Sequence, residues 1–191
     1  MDRIELNGVW YIKESLTLQN ESYQNDYSVT NLNVITYRNG DAIPKVKDPK
    51  KWSELTTGAY CYYDNDSSKG ILYNWYAVND PRDLAPVGWH IPTAEEAKTL
   101  VDFLSSPSTS TETQTNSSFY VNCCSLRNWT SGYDDFDLTG SCAHWWSSSR
   151  SNMNGTQYPV YYTFYNPGPW MGSDNFGPGE AAGMAVRLIK D

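Results

Sequence analysis

The chain has 191 residues, a net charge of -8 and 28 aromatic residues (8 Trp, 15 Tyr and 5 Phe), while only 19% of it is charged. That length suits one large domain or two small ones, and the acidic balance argues against a protein that wraps nucleic acid, which needs clustered Lys and Arg. No stretch approaches the roughly 20 apolar residues of a membrane-spanning helix, and many aromatics with few charges point to a surface made for contact.

Residues 4–17 read as one or two strands, with a turn at Asn7-Gly8. Met1 to Glu5 contain no apolar run of the kind a signal peptide needs. Residues 18–28 are polar and read as a linker or loop, so residues 1–26 are taken as an N-terminal strand segment with its linker. Asn31 to Tyr37 is strand-like, Asn39-Gly40-Asp41 makes a sharp turn, and Asp48-Pro49 introduces a short helical turn around Lys51–Leu55. Residues 59–63 form another short strand, closed by Asp64-Asn65-Asp66, and residues 70–78 are the first strong core segment. Thr93 and Glu96 have capping-box spacing. Ala97, Leu100, Val101 and Leu104 make one apolar stripe, which predicts a helix over residues 93–104. Residues 105–118 are nearly all Ser, Thr, Glu, Gln and Asn and read as an exposed loop. Beyond them no helical period remains. Short apolar bursts lead to a half-buried closing strand, with Met184, Val186 and Leu188 on one face and Arg187 on the other, beside a carboxylate.

The ordered segments carry a family resemblance. Leu72 to Tyr76, Ala85 to Thr93 before the helix, Trp145-Trp146-Ser147-Ser148 and Gly183 to Arg187 resemble the Fibrobacter succinogenes major paralogous domain. Upstream, Asn31-Leu32-Asn33, Tyr37, Gly40 to Pro44, Trp52 and Tyr60 to Asp66 are similar too, so the resemblance covers residues 27–191. It implies an α+β, C-type-lectin-like fold, with short antiparallel strands, one clear helix, long irregular loops, and N- and C-terminal strands held together. It also implies a secreted or surface-anchored protein of the Bacteroidetes–Fibrobacter group, whose members generally have no established catalytic activity; the lack of a signal peptide leaves a virion-associated protein as the other expectation. The variable proteins of diversity-generating retroelements share this fold, and adenine-directed mutagenesis enriches their binding positions in Asn, Tyr, Ser and Asp.

Residues 144–176 have that composition: nine aromatics and two charged residues, Arg150 and Asp174. Tyr gives amphipathic contact at low entropic cost, while Ser, Gly and Asn give adjustable hydrogen bonds. By strand parity Val160, Tyr162 and Phe164 should point inward, and Tyr161 and Tyr165 outward. Arg150, Asn152, Asn154, Tyr158, Trp170, Asp174 and Asn175 should flank them. These nine residues (Tyr161 and Tyr165 with the seven flanking ones) form the expected ligand-binding face. Its expected partner is a protein or glycan on a target cell, as for a cell-surface or phage receptor-binding protein. Neither nucleic acid nor a cofactor is expected.

Trp75, Trp89 and Trp145 read as core, and His90 as a structural hydrogen-bonding group where the helix begins. Asp64-Asn65-Asp66 offers too few oxygens for calcium. Cys61, Cys123, Cys124 and Cys142 show no metal spacing. They suit buried thiols or one or two bridges, with Cys123 or Cys124 to Cys142 the pairing to test. A self-associating adhesive unit is the main alternative function. An enzyme resembling formylglycine-generating enzymes, acting through Cys123, Cys124 or Cys142, is the weaker one.

Overall fold

The computed structural model describes residues 27–28, 30–102, 144–163 and 179–191 with their side chains, and outside those ranges the backbone of further strands and of one helix end. The first strands are β1 (Arg3–Leu6) and β2 (Val9–Ile12). Leu6 pairs with Val9, and the turn expected at Asn7-Gly8 lies outside the described residues. The expected linker at 18–28 is instead part of a hairpin, β3 (Ser15–Asn20) with β4 (Tyr23–Ser28). Strand pairing uses main-chain groups that every non-proline residue has, so a polar composition does not prevent it. Tyr27 shows why this segment is held: it is fully buried, and its hydroxyl donates to the carbonyl of Glu96 at 2.7 Å.

The segment 31–37, expected as a strand, forms single bridges rather than a ladder. Its contacts include a Thr36–Ala42 bridge and a bond from Leu32 N to Val186 O at 2.8 Å. Burial alternates as in a strand over residues 32–35, with Leu32 and Val34 buried and Asn33 and Ile35 exposed, and Tyr37 is buried beyond the break. A side chain stands in for a neighbouring strand here. The Tyr73 hydroxyl donates to Val34 O at 2.7 Å and lies 2.8 Å from Val34 N. Asp48 caps α1 (Pro49–Ser53) by accepting from Lys51 N at 2.8 Å, which buries Trp52.

β5 (Tyr60–Tyr62) pairs antiparallel with β6 (Ile71–Tyr73). Between them Asp64 pairs with Lys69 at 2.7 Å, and Asp66 Oδ1 accepts from Ser68 N at 2.9 Å. Then Asn74 starts the short helix α2 (Trp75–Val78). Asn74 is fully buried. Its Oδ1 accepts from Ala59 N (2.9 Å) and Ala77 N (3.0 Å), and its Nδ2 donates to Thr57 O (2.8 Å). One amide thus caps a helix and ties it to the strand β5. β7 (Trp89–His90) leads into α3 (Ala94–Ser105), where the capping box forms as predicted: Thr93 N donates to Glu96 Oε2 at 2.8 Å and Glu96 N to Thr93 Oγ1 at 3.3 Å.

The remaining strands are β8 (Leu126–Thr130), β9 (Tyr133–Asp137), β10 (Cys142–Met153), β11 (Thr156–Tyr165), β12 (Gly168–Gly172) and β13 (Ile189–Lys190). They complete sheets ordered β3-β4-β13-β7, β10-β11-β12 and β8-β9, so the first and last segments of residues 27–191 meet where Ile189 pairs with Tyr27. The fold is a mixture of small antiparallel sheets and a few helices. Among the described residues no helix is long and apolar enough to cross a membrane.

Two apolar clusters flank the β10–β11 pair. Trp146 and Tyr161 pack with Tyr73, Trp75, Met184 and Val186. Trp145 and Tyr162 pack on the other side with Tyr27, Trp52, Ala97 and Leu100. Cross-strand register explains the division, because Trp146 faces Tyr161 and Trp145 faces Tyr162. The closing segment is therefore not half-buried: Met184, Ala185, Val186 and Arg187 are all between 0% and 1% exposed. Arg187 is held by Asn31 Oδ1 at 3.1 Å and by the Trp145 ring 4.6 Å away. Trp75, Trp89 and Trp145 are core residues, as expected.

Candidate functional site

The β10–β11 hairpin leaves the core at a bulge. Trp146 pairs with Tyr161 and Arg150 with Pro159, so Ser147, Ser148 and Ser149 lie opposite Val160 alone. Pro159 has no N–H to give to a ladder, which suits the end of the irregularity. The serines bond elsewhere instead. Ser147 Oγ donates to Val160 O at 2.9 Å, Ser148 N donates to Pro92 O at 2.8 Å, and Ser149 Oγ accepts from Ala94 N at 2.9 Å. The bulge thereby anchors the hairpin to the opening turn of α3.

Beyond the bulge the hairpin turns at Asn154-Gly155. Met153 pairs with Thr156, and Asn154 and Gly155 have φ of 53° and 84°. A two-residue loop with both φ positive is a type I′ turn, whose hand matches the strand twist. Asn152 Oδ1 accepts from Gly155 N at 3.0 Å and closes it. Arg150, Asn152, Asn154, Thr156 and Gln157 are exposed around this tip.

Arg150 fastens the tip to the scaffold. Its guanidinium lies 4.0 Å over the Trp75 ring, and its Nη2 meets Glu180 Oε1 at 2.6 Å. Glu180 Oε2 accepts from the Tyr76 hydroxyl at 3.1 Å, and the Glu180 carbonyl accepts from Trp75 N at 2.9 Å. Burial, then the Glu180 carboxylate, raise the Tyr76 hydroxyl above its ordinary pKa, so it stays a donor at neutral pH. The Arg150 and Glu180 side chains are 31% and 32% exposed, so their charges largely cancel at a partly wet surface. What the tip presents outward is mainly neutral amide, hydroxyl and aromatic chemistry.

The expected face divides accordingly. Arg150, Asn152 and Asn154 are exposed together, and Tyr158 is half-buried beside them. Tyr161 is a correction: it was expected outside and is 8% exposed, edge-on to Trp146 at 6.3 Å between ring centroids. Parity predicts one wet face only when a sheet has one core, and this sheet has a core on each side. Val160 and Tyr162 are buried as expected. The side chains of Phe164, Tyr165 and Trp170 lie outside the described residues, as do Asp174, Asn175 and the cysteine pairing of Cys123 or Cys124 with Cys142.

Residues 154–155 are an Asn-Gly dipeptide between strand-forming runs, a hairpin signal of the same kind as Asn7-Gly8. Glu180 and Tyr76 carry no comparable local signal, because they lie 104 residues apart in the chain. His90 is a hydrogen-bonding group where α3 begins, as expected. His144 is buried and its Nδ1 lies 2.8 Å from Thr163 Oγ1, so the two histidines have different partners.

No curated protein and no solved structure matches the chain. The family model described as the Fibrobacter succinogenes major domain matches residues 28–123, just over half of the 191 residues. That span holds the Asn74 hub, Trp75, Tyr76 and the capped start of α3. The chain belongs to the Fibrobacter succinogenes major domain family.

Proposed function

We propose that the chain is a non-enzymatic binding module of C-type-lectin-like architecture that presents the β10–β11 tip to a protein or glycan on a target cell. The observation that carries this reading is the clamp of Arg150 between Trp75 and Glu180, which holds an exposed neutral hairpin on a rigid scaffold. The meeting of β4 with β13 supports the C-type-lectin-like architecture. The Asn, Ser and Tyr content of residues 144–176 supports a retroelement-diversified segment, on a cell-surface or phage receptor-binding protein.

The test uses the whole chain on an array of glycans and on intact bacterial cells. The Asn154→Gly/Tyr158→Ala variant, which keeps the turn conformation, should lose capture at least tenfold while keeping its circular dichroism and melting transition. Capture unchanged in that variant sinks the site. Capture that rises with self-association, read by sizing at two concentrations, favours the adhesive alternative.

A further inference from the structure

The second histidine site lies away from the hairpin tip, between β7, α3 and the end of β13. His90 Nδ1 is 2.6 Å from Asp191 Oδ1, and His90 Nε2 is 3.1 Å from Glu96 Oε1. A carboxylate oxygen only accepts hydrogen bonds, and a neutral imidazole has one N–H. With a neutral ring, one of these two contacts would press a nitrogen lone pair against an anionic oxygen. Only the imidazolium satisfies both. Glu96 is held as the carboxylate from its other side, where Oε2 accepts from Thr93 N at 2.8 Å and from Thr93 Oγ1 at 2.9 Å.

We propose that His90 is a pH-operated clasp: as the imidazolium it fastens the end of β13 to the capped start of α3, and on losing its proton it lets that strand end go. Ile189 is buried in the core, so the part that the clasp governs is the exposed end, Lys190 and Asp191. β13 is two residues long, with Ile189 paired to Tyr27 and to His90, and Lys190 paired to Trp89. Asp191 adds one backbone bond, from its N to Gly88 O at 3.1 Å.

The charged surroundings favour the clasp. Burial opposes the charge on His90, but its bonds to Asp191 and Glu96 outweigh burial and raise its pKa above the ordinary value. Burial likewise opposes the Glu96 carboxylate, but the Thr93 backbone and His90 outweigh it and lower its pKa. From the turn at residues 38–40, Arg38 Nη2 reaches the Trp89 carbonyl at 3.4 Å and is paired with Asp83 at 3.0 Å. Lys190 is exposed on β13 beside Asp191, Glu95 shares the first turn of α3 with Glu96, and the Tyr27 hydroxyl meets the Glu96 carbonyl from β4.

The sign follows from linkage. A raised histidine pKa gives stability that is present below the unfolded value and lost as pH rises through the folded one. The lowered Glu96 pKa gives stability lost only as pH falls through its folded value. The clasp is therefore shut in mildly acidic solution and opens on the alkaline side.

The experiment is a pH titration of the whole chain by NMR, following both imidazoles and the amide protection of Ile189 and Asp191, with urea unfolding at pH 5.5 and 8.5. Wild type should show His90 titrating above about 6.5, the ordinary histidine value. Protection at Asp191 should fall along the same curve while buried Ile189 stays protected, and stability should drop between the two pH values. His90→Gln should remove that drop. Glu96→Gln keeps a capping-box side chain, and Asp191→Asn keeps a polar one, so each should fold and shift the His90 titration downward. These two variants keep the test decisive where His90→Gln fails to fold. Titration of His90 at or below the ordinary value, or an equal pH dependence in wild type and His90→Gln, overturns the clasp.

Discussion

Asn74 carries more of the fold than any neighbouring side chain of its size. It is buried with three hydrogen bonds, to Ala59, Ala77 and Thr57. Asn74→Ala removes the helix cap and strands the Ala59 amide in a dry interior. Unfolding in urea should show a loss of about 3 kcal/mol, since an unmet buried donor costs ~1–3 kcal/mol and a lost cap ~1. A loss below about 0.5 kcal/mol would mean that water reaches these groups. Arg150 contrasts with it. Its ion pair with Glu180 is partly wet and its stacking on Trp75 is one contact, so Arg150→Ala should cost only about 1 kcal/mol. Both residues are visible in the sequence, but their ranking is not, because burial and partner count arise only on folding.

The β10–β11 hairpin and the helix α3 show how differently elements reveal themselves. α3 was readable because its signals are local: a cap, a box partner three residues on, and an apolar stripe. The hairpin depends on a turn and a bulge. Gly155 has φ of +84° with open space where a Cβ would stand, so the cost of a side chain there is conformational rather than steric. Gly155→Ala should therefore destabilise the hairpin by about 1–2 kcal/mol, the usual cost of a left-handed backbone for a residue with a Cβ. Hydrogen exchange should then speed up at residues 152–157 while the paired residues Trp145 and Tyr162, on the core side of the bulge, stay protected. Uniform exchange along both strands would contradict the bulge as an anchor. The bulge itself was hidden. Ser147-Ser148-Ser149 reads as a polar run until the carbonyl of Pro92 and the amide of Ala94 come beside it.

Taken as a whole, the molecule spends much of its aromatic excess inward. Trp145, Trp146, Tyr161 and Tyr162 lie in the segment expected to be a binding face, and all four are buried. They serve two cores, one on each side of a single strand pair. Tyr161→Ala should accordingly cost about 3–5 kcal/mol, the range for truncating a buried aromatic, and should lower the melting temperature before it alters any binding. A variant that melts within a degree or two of wild type would return Tyr161 to the surface. Half-buried Tyr158 and the exposed residues at the tip are the ones on which binding can be tested without unfolding the chain.

Local chemistry was sufficient for the capping box at Thr93 and Glu96 and for the Asp48-Pro49 start of α1. Each of these rests on residues within a few positions of one another, where spacing alone sets which atoms meet. The sidedness of β11, the pairing of the polar 18–28 segment, the burial of the closing strand and the Arg150–Glu180 clamp could come only from the folded chain. They join residues tens of positions apart, and a strand's own pattern cannot say whether a second core will close over its other face.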